Sequence, residues 1–291
     1  MKVAIVTDSV ADIPETLVEK YNIKVIPLTV HFGGKSYQDR VDITNQEFYK
    51  YIGGAKTLPT TSQPTPAQFI DIYRSCIEEG ADKIISIHFS AEMSGTCQGA
   101  KMVAEMMKDD IEIEVIDSRT VTVGLGVLIV GIAQWIEEHP DAEWQEILTQ
   151  IHAMMKSSRI LFLLDSLENL QKGGRIGKAS YLVGSVLNIK PILIVEDGFI
   201  GVHDKVRGKK LEKAIDRLTD EFVKMIDPSK KMYFALGYNN ETYLEVLREN
   251  LRQKLDDYGT FDHEQLMDYE IGCVTTTHIG LGAFGIAFYQ V

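Results

Sequence analysis

The sequence predicts an α/β protein of two α/β domains, the first a doubly wound, mostly parallel sheet. Three observations carry that expectation. Short β-branched runs alternate with amphipathic helical patterns from Lys2 to Ser157, the rhythm of βαβ units. Several runs end on acids and hydroxyls, Asp8-Ser9 and Asp117-Ser118, as where a parallel sheet opens its ligand crevice at the C-terminal strand ends. Past residue 157 the pattern changes to a strand, a basic glycine-rich loop and a hairpin signal, so the domains divide at 1–157 and 158–291. A length of 291 residues suits two domains of ordinary size.

The elements follow in order. Lys2 to Thr7 reads as a strand, and Asp12-x-x-Glu15 as a capping box for a helix to Tyr21. Val25 to Phe32 reads as a strand near a sheet edge, because Pro27 has no N–H for a ladder. Gly33-Gly34-Lys35 turns into a short strand, Ser36 to Gln38. Thr44-x-x-Glu47 boxes a helix from Gln46 to Ile52. Residues 53–66 read as a loop, and Thr65-Pro66-Ala67-Gln68 caps the helix that follows it to Glu79. Lys83 to His88 is a buried strand, with a helix on to Lys108. Ile111 to Ile116 is another strand, and helices Gly124 to Glu138 and Ala142 to Ser157 break at Pro140. Val121 to Trp135 is the most apolar run, too short for a membrane span and read as a buried helix.

In the second half, Ile160 to Leu164 is a strand and Asp165-x-x-Glu168 caps a short helix. Gln171 to Lys178 is the basic glycine-rich loop. Pro191 to Val195 and Phe199 to Val206 flank a tight Glu196-Asp197-Gly198 turn. Helices from Lys209 to Met225 and Glu241 to Leu255 flank the strand Met232 to Leu236. At the end, Thr275-Thr276-Thr277 leads to His278, expected in a tight glycine loop before a final apolar strand.

Several functions are disfavoured by composition and spacing. Net charge is −12, from 30 basic and 42 acidic residues, which opposes a nucleic-acid surface. Cys76, Cys97 and Cys273 are far apart and form neither a disulfide framework nor a zinc pattern. The cell interior, the cytoplasm, is the expected compartment, and Asp8 interrupts any signal-peptide core. Gly280-x-Gly282-x-x-Gly285 matches a dinucleotide string, but neither a helix nor an acid can follow in the six residues that remain. Gly177-Lys178 fails the phosphate-loop spacing, with Ala179 after it and Lys172 where a glycine is required. No G-x-S-x-G elbow occurs, and no histidine pair has ligand spacing, so neither cofactor nor metal is expected.

What remains is a polar socket. Ser86 to Ala100 joins a buried strand to a helix through small residues, so backbone N–H groups, the helix dipole and the hydroxyls of Ser94 and Thr96 suit a small anion. Ser94 as a simple helix cap is the competing reading. Thr60, Thr61 and Ser62 are either turn chemistry or a second wall of that socket. His278 is either a solvent-facing loop residue or part of the same network.

At these residues the chain resembles the DegV family of bacterial fatty-acid-binding proteins. The resemblance runs through Val6-Thr7-Asp8-Ser9, Thr61-Ser62-Gln63-Pro64, Ser94-Gly95-Thr96, Asp117-Ser118, Leu170-Gln171-Lys172-Gly173-Gly174-Arg175-Ile176, Lys205-Val206-Arg207 and Thr276-Thr277-His278-Ile279-Gly280. It implies a lipid pocket between the two domains, filled by one long-chain fatty acid. The carboxylate would be held by Thr61 or Ser62, Ser94, Gly95, Thr96 and His278, a cradle without arginine. It further implies a non-catalytic subunit that presents the carboxylate to an ATP-dependent fatty acid kinase subunit, with transient membrane contact as a further partner. Lys172, Arg175, Lys178, Lys205, Arg207, Lys209 and Lys210 are either its docking surface or a solvated charged face. The other functional class is a hydrolase or transferase with Ser94 and His278 in the reaction. Leu281 stands where the family pattern has proline, which loosens the expected His278 loop. About 0.8 kcal/mol per methylene gives a tail of some 14 methylenes roughly 11 kcal/mol of gross binding, so the tail would supply affinity and the socket orientation.

Overall fold

The computed structural model describes residues 1–55, 57–182, 189–208, 210–256 and 267–291. Lys56 in the first loop, Lys209 in the basic group and His263 among the histidines lie outside the described residues.

The first domain contains β1 (Val3–Asp8), α1 (Glu15–Lys20), β2 (Lys24–Ile26), β3 (Thr29–Phe32), β4 (Lys35–Gln38), α2 (Asn45–Ile52), β5 (Thr60–Ser62), α3 (Pro66–Glu78), β6 (Lys83–His88), α4 (Thr96–Met106) and β7 (Glu112–Asp117). Its main sheet has the order β2-β1-β6-β7, all parallel. Parallel strands need covered faces, and Val6, Ile84 and Ile85 are accordingly buried. A small antiparallel sheet, β4-β3-β5, stands beside it.

Helices α5 (Val123–Glu138) and α6 (Trp144–Ser157) lead into β8 (Arg159–Leu163), α7 (Glu168–Lys172), β9 (Ile189–Glu196), β10 (Phe199–Arg207), α8 (Leu211–Met225), β11 (Met232–Tyr238), α9 (Leu244–Asp256), β12 (Met267–Glu270), α10 (Cys273–Ile279) and β13 (Phe284–Gln290). The six-stranded sheet runs β10-β9-β8-β13-β11-β12, antiparallel except for the last pair. α5 is buried all round from Val123 to Ala133 because it lies between the domains and packs on β13 and β11. Among the described residues no helix is long and apolar enough to cross a membrane.

The capping boxes at Thr44 and Thr65 both form, with Glu47 and Gln68 reaching back. Asp12 does not cap α1, which starts behind Pro14. Its backbone is left-handed, with φ 52°, and its buried carboxylate turns toward the far end of the chain. The run from Val25 to Phe32 is two strands: Pro27 ends β2, and the chain leaves the parallel sheet for β3. The loop before α3 contains β5, so the Thr60–Ser62 hydroxyls have a strand's alternation. At α7 the N-cap position is Leu167, not Asp165, and Ser166 Oγ just before it accepts from Glu168 N–H at 3.1 Å. His278 sits in the last turn of α10, not in a loop. Leu281 follows between Gly280 and Gly282, both at positive φ, 76° and 86°, and packs near Gly53.

Candidate functional site

A cavity of about 350 Å³ lies between the domains, lined from both. Its body is apolar: Val10, Leu28 and Phe89 on one side, Ile160, Phe162 and Phe284 on the other. Most of the polar lining comes from β5, the β6–α4 junction, the loop after α7 and α10, and Thr122 before α5 lines the cavity as well.

Strand register orients β5. Thr61 pairs with the fully buried Val30, so it faces inward, and Ser62 faces the other way. Thr61 Oγ1 lies 2.9 Å from His278 Nε2. Ser62 Oγ lies 3.0 Å from His31 Nε2. His278 Nδ1 is buried without a hydrogen-bond partner among the described residues. Burial holds the imidazole well below its ordinary value, at about 4, and the Arg175 guanidinium acts in the same direction. His278 is therefore neutral near pH 7 and carries one ring proton.

At the β6–α4 junction Ser94 and Gly95 line the cavity. Ser94 Oγ accepts from Thr96 N–H at 3.2 Å and lies 2.9 Å from Thr96 Oγ1. Thr96 itself is fully buried and lines nothing; contrary to expectation it stands behind Ser94. Gly95 occupies the N-cap position of α4, and the side-chain amide of Gln63 lies against it. Gln63 also lines the cavity and was missed as a site residue, although it stands inside the Thr61-Ser62-Gln63-Pro64 motif.

Arg175 corrects the expected arginine-free cradle. It lines the mouth, where its Nε donates to Met93 O at 3.2 Å and its Nη1 to Gly173 O at 2.7 Å. The other strand-end polar residues do not join the cavity. Asp8 Oδ2 instead lies 2.9 Å from His88 Nδ1, in a buried chain that continues through Ser86 to Tyr73. Asp117 Oδ1 braces the neighbouring loop by accepting from Ala91 and Arg119 N–H.

Lys172, Lys205, Arg207 and Lys210 are exposed. Lys172 pairs with Glu168 at 2.5 Å, and the Lys205 ammonium lies 4.7 Å from the Tyr181 ring centroid. Lys178 lies 6.0 Å from the Phe199 ring. Among the described residues no group of three or more His, Cys, Asp or Glu could hold a metal ion.

Helix α10 is positioned from the first domain. Gly272 N–H donates to Asp12 Oδ1 at 2.8 Å, and Cys273 N–H to Asp39 Oδ1 at 3.3 Å. Thr122 Oγ1 donates to Asp12 Oδ2 at 2.5 Å, and Tyr49 OH to Ile271 O at 2.5 Å. Burial pushes the Asp12 carboxyl up to about 7 against the Thr122 hydrogen bond, and raises Asp39 as well.

A cavity between two α/β domains, apolar in its body and polar at one end, suits a molecule with one polar head and an apolar tail. Comparisons with known proteins narrow this to a family. The family model described as "Uncharacterised protein, DegV family" matches residues 2–291. A DegV domain-containing protein of Caldanaerobacter subterraneus subsp. tengcongensis is 38% identical over 290 residues, covering 99% of each chain. A solved DegV family protein from Thermus thermophilus, described by its fatty acid binding, superposes with a TM-score of 0.90 at 28% identity over 100% of both chains. A stearic-acid-binding protein from Eubacterium ventriosum gives a TM-score of 0.87 at 28% identity, covering 100% of this chain and 98% of that one. The chain belongs to the DegV family.

Proposed function

We propose that this chain binds a long-chain fatty acid with its tail in the interdomain cavity and presents the carboxylate at the mouth to an ATP-dependent fatty acid kinase subunit, which forms the acyl phosphate. The observation that carries the binding step is the polarity gradient of the cavity: an apolar body ending in Thr61, Ser94, Gly95 and His278. The fatty-acid-binding relatives support the same ligand. The Thr61–His278 pair has one donor left over in either tautomer. If Thr61 donates to Nε2, the Nδ1 proton remains; if Nε2–H donates, the Thr61 hydroxyl remains. That donor, the Ser94 hydroxyl and the Gly95 amide hold the carboxylate, Ser62 stands at the rim and Thr96 supports Ser94. Both Arg175 donors to backbone brace the mouth, so its charge acts on the head at longer range.

The role is non-catalytic. Ser94 and His278 have Thr96 and Thr61 as partners instead of each other, and Nδ1 has no carboxylate to orient it, which disfavours a nucleophile–base pair. Lys172, Arg175, Lys205 and Arg207 form the kinase-docking face, and the protein works in the cytoplasm with transient membrane contact during loading. The domains divide at 157/158, with α5 and α6 packed on the six-stranded sheet of the second.

Mass spectrometry of the purified protein, native and after solvent extraction, tests this. A stoichiometric fatty acid is expected, and added kinase subunit with ATP converts it to the acyl phosphate. A protein that is empty and takes up no added fatty acid overturns the reading.

A further inference from the structure

One wall of the cavity is a row of register partners across three neighbouring strands: Phe162 on β8, Gly285 on β13 and Gly237 on β11. Two glycines side by side inside a sheet weaken it, and neither has the left-handed backbone that favours glycine. Space accounts for Gly237. A Cβ there would collide with Val123 Cγ2 and stand 3.8 Å from Ile271 Cδ1, so the Val123 side chain rests on bare backbone.

The next rows on the same face show where the cavity stops. Ala287 and Ala235 follow the glycines, then Tyr289 and Tyr233, and none of these four lines the cavity. Helix α5 starts at Val123 and runs over them. A Cβ on its Gly124 would lie 3.5 Å from Ile160 Cβ, in the alanine row, and one on its Gly131 would collide with the Tyr289 ring, in the tyrosine row. The first turn of α5 therefore comes down on the sheet at the glycine row, and no acyl chain can pass between Val123 and Gly237.

Helix α10 relates this wall to the head group. Ile271, Val274, Thr275, His278 and Ile279 line the cavity with the spacing of one helical stripe. Ile271 lies beside Val123 and Gly237, and His278, bonded to Thr61, is at the other end of that stripe. A tail whose carboxylate is held at Thr61 and His278 thus has Val123 at the far limit of its space.

We propose that Val123, seated on Gly237, is the specificity-determining residue that limits the tail length the cavity accepts. The proposal rests on the fatty-acid reading above. Up to that limit each added methylene is taken out of water; beyond it the tail must buckle or displace Val123, and affinity stops rising.

Competition titrations of the full chain against a fluorescent fatty acid, with saturated fatty acids from laurate to arachidate and odd lengths included, test this. Affinity is expected to rise about four-fold per methylene and then level off. Val123→Ala removes two methyl groups and moves the levelling point about one or two carbons longer, whereas Val123→Ile moves it about one carbon shorter. Ratios between lengths within one variant cancel any general loss of affinity or stability, and Val123→Ala alone decides where the larger side chain is not accommodated. If Gly237 serves only to let α5 approach the sheet, Val123→Ala lowers affinity equally at every length. That result, a levelling point that stays in place, or a wild-type protein with no levelling point overturns the proposal. A wild-type affinity that does not rise with tail length at all overturns the fatty-acid reading instead, so the two failures are distinct.

Discussion

The two ends of helix α10 are built on opposite plans. At the N-terminal end two buried carboxylates and a tyrosine hydroxyl from the first domain converge on Ile271, Gly272 and Cys273, and the Thr122 hydroxyl donates to one of those carboxylates, Asp12. At the other end His278 has one ring nitrogen on Thr61 and the other with no partner among the described residues. One end is held in place and the other keeps hydrogen-bonding capacity in reserve. The difference teaches how a Thr-Thr-Thr-His segment expected to lead into a loop becomes a helical wall for a cavity: the anchor that orders it sits at the opposite end of the helix from His278.

Breaking the anchored end has the largest expected effect. Asp12→Ala removes the acceptor for Gly272 N–H, and leaving a buried donor unsatisfied costs about 1–3 kcal/mol. Asp12 also has φ 52°, where alanine is disfavoured by roughly 1–2 kcal/mol. Together these lower the melting temperature by about 10 °C. Asp12→Asn tolerates that backbone and keeps an acceptor, so it is expected to lose less than half as much. Thermal unfolding of the two variants checks this; equal losses would mean that neither the retained acceptor nor the left-handed backbone accounts for the effect.

The open end gives a smaller effect. Thr61→Ala leaves both ring nitrogens of a largely buried His278 without a partner among the described residues and breaks the Thr61–His278 pair that orders the proposed carboxylate site. Fatty-acid affinity is expected to fall about ten-fold, with little change in melting temperature. Titration with a fatty acid decides it, and undiminished affinity would move the head group away from this end of the cavity.

Much of the fold was legible in the sequence because it depends on local pattern. The capping boxes at Thr44 and Thr65, the Asp197-Gly198 turn with both residues at positive φ, and the apolar run that became α5 all form as their local sequences require. The failures share a cause. Asp12-x-x-Glu15 matches the capping string as well as Thr44-x-x-Glu47 does, yet its carboxylate is taken by a backbone N–H 260 residues away. The same bond explains α10: three consecutive β-branched threonines are weak helix formers, and a buried cap from the other domain overrides that preference. Arg175 reads as a surface cation until it is seen holding a carbonyl 82 residues earlier. Thr61, Ser62, Ser94 and His278 were named through a family resemblance and all line the cavity, whereas the places of Gln63 and Thr96 depended on side-chain packing that no spacing records.

Acidity sharpens the comparison, because the two ends carry opposite signs. His278 has a folded value of about 4 against an ordinary 6.5, so the unfolded chain binds the extra proton between them. Its contribution is complete above pH 6.5 and is lost as pH falls toward 4. Asp12 has a folded value of about 7 against an ordinary 3.8, so its contribution is complete below 3.8 and is lost as pH rises through 7. Between pH 4.5 and 6.5 each changes stability by up to about 1.4 kcal/mol per pH unit, in opposite directions. Denaturant titrations are expected to show His278→Gln flattening the rise of stability with pH and Asp12→Asn steepening it. Parallel profiles for all three proteins would remove the asymmetry.

The smallest effect on the folded protein is expected far from either end of α10. Arg207 is exposed on β10, an edge strand of the six-stranded sheet, and is not among the cavity-lining residues. Reversing its charge as Arg207→Glu leaves stability within about 0.5 kcal/mol, as for most surface substitutions, and leaves fatty-acid affinity unchanged. If the basic group docks the proposed kinase subunit, acyl phosphate formation falls severalfold, and the defect is largest at low ionic strength, where the native charge attraction is least screened. Loss of lipid binding in the same variant would break the separation between mouth and docking face. An unchanged rate of acyl phosphate formation at both ionic strengths would leave Arg207 a solvated charge and move the docking surface elsewhere.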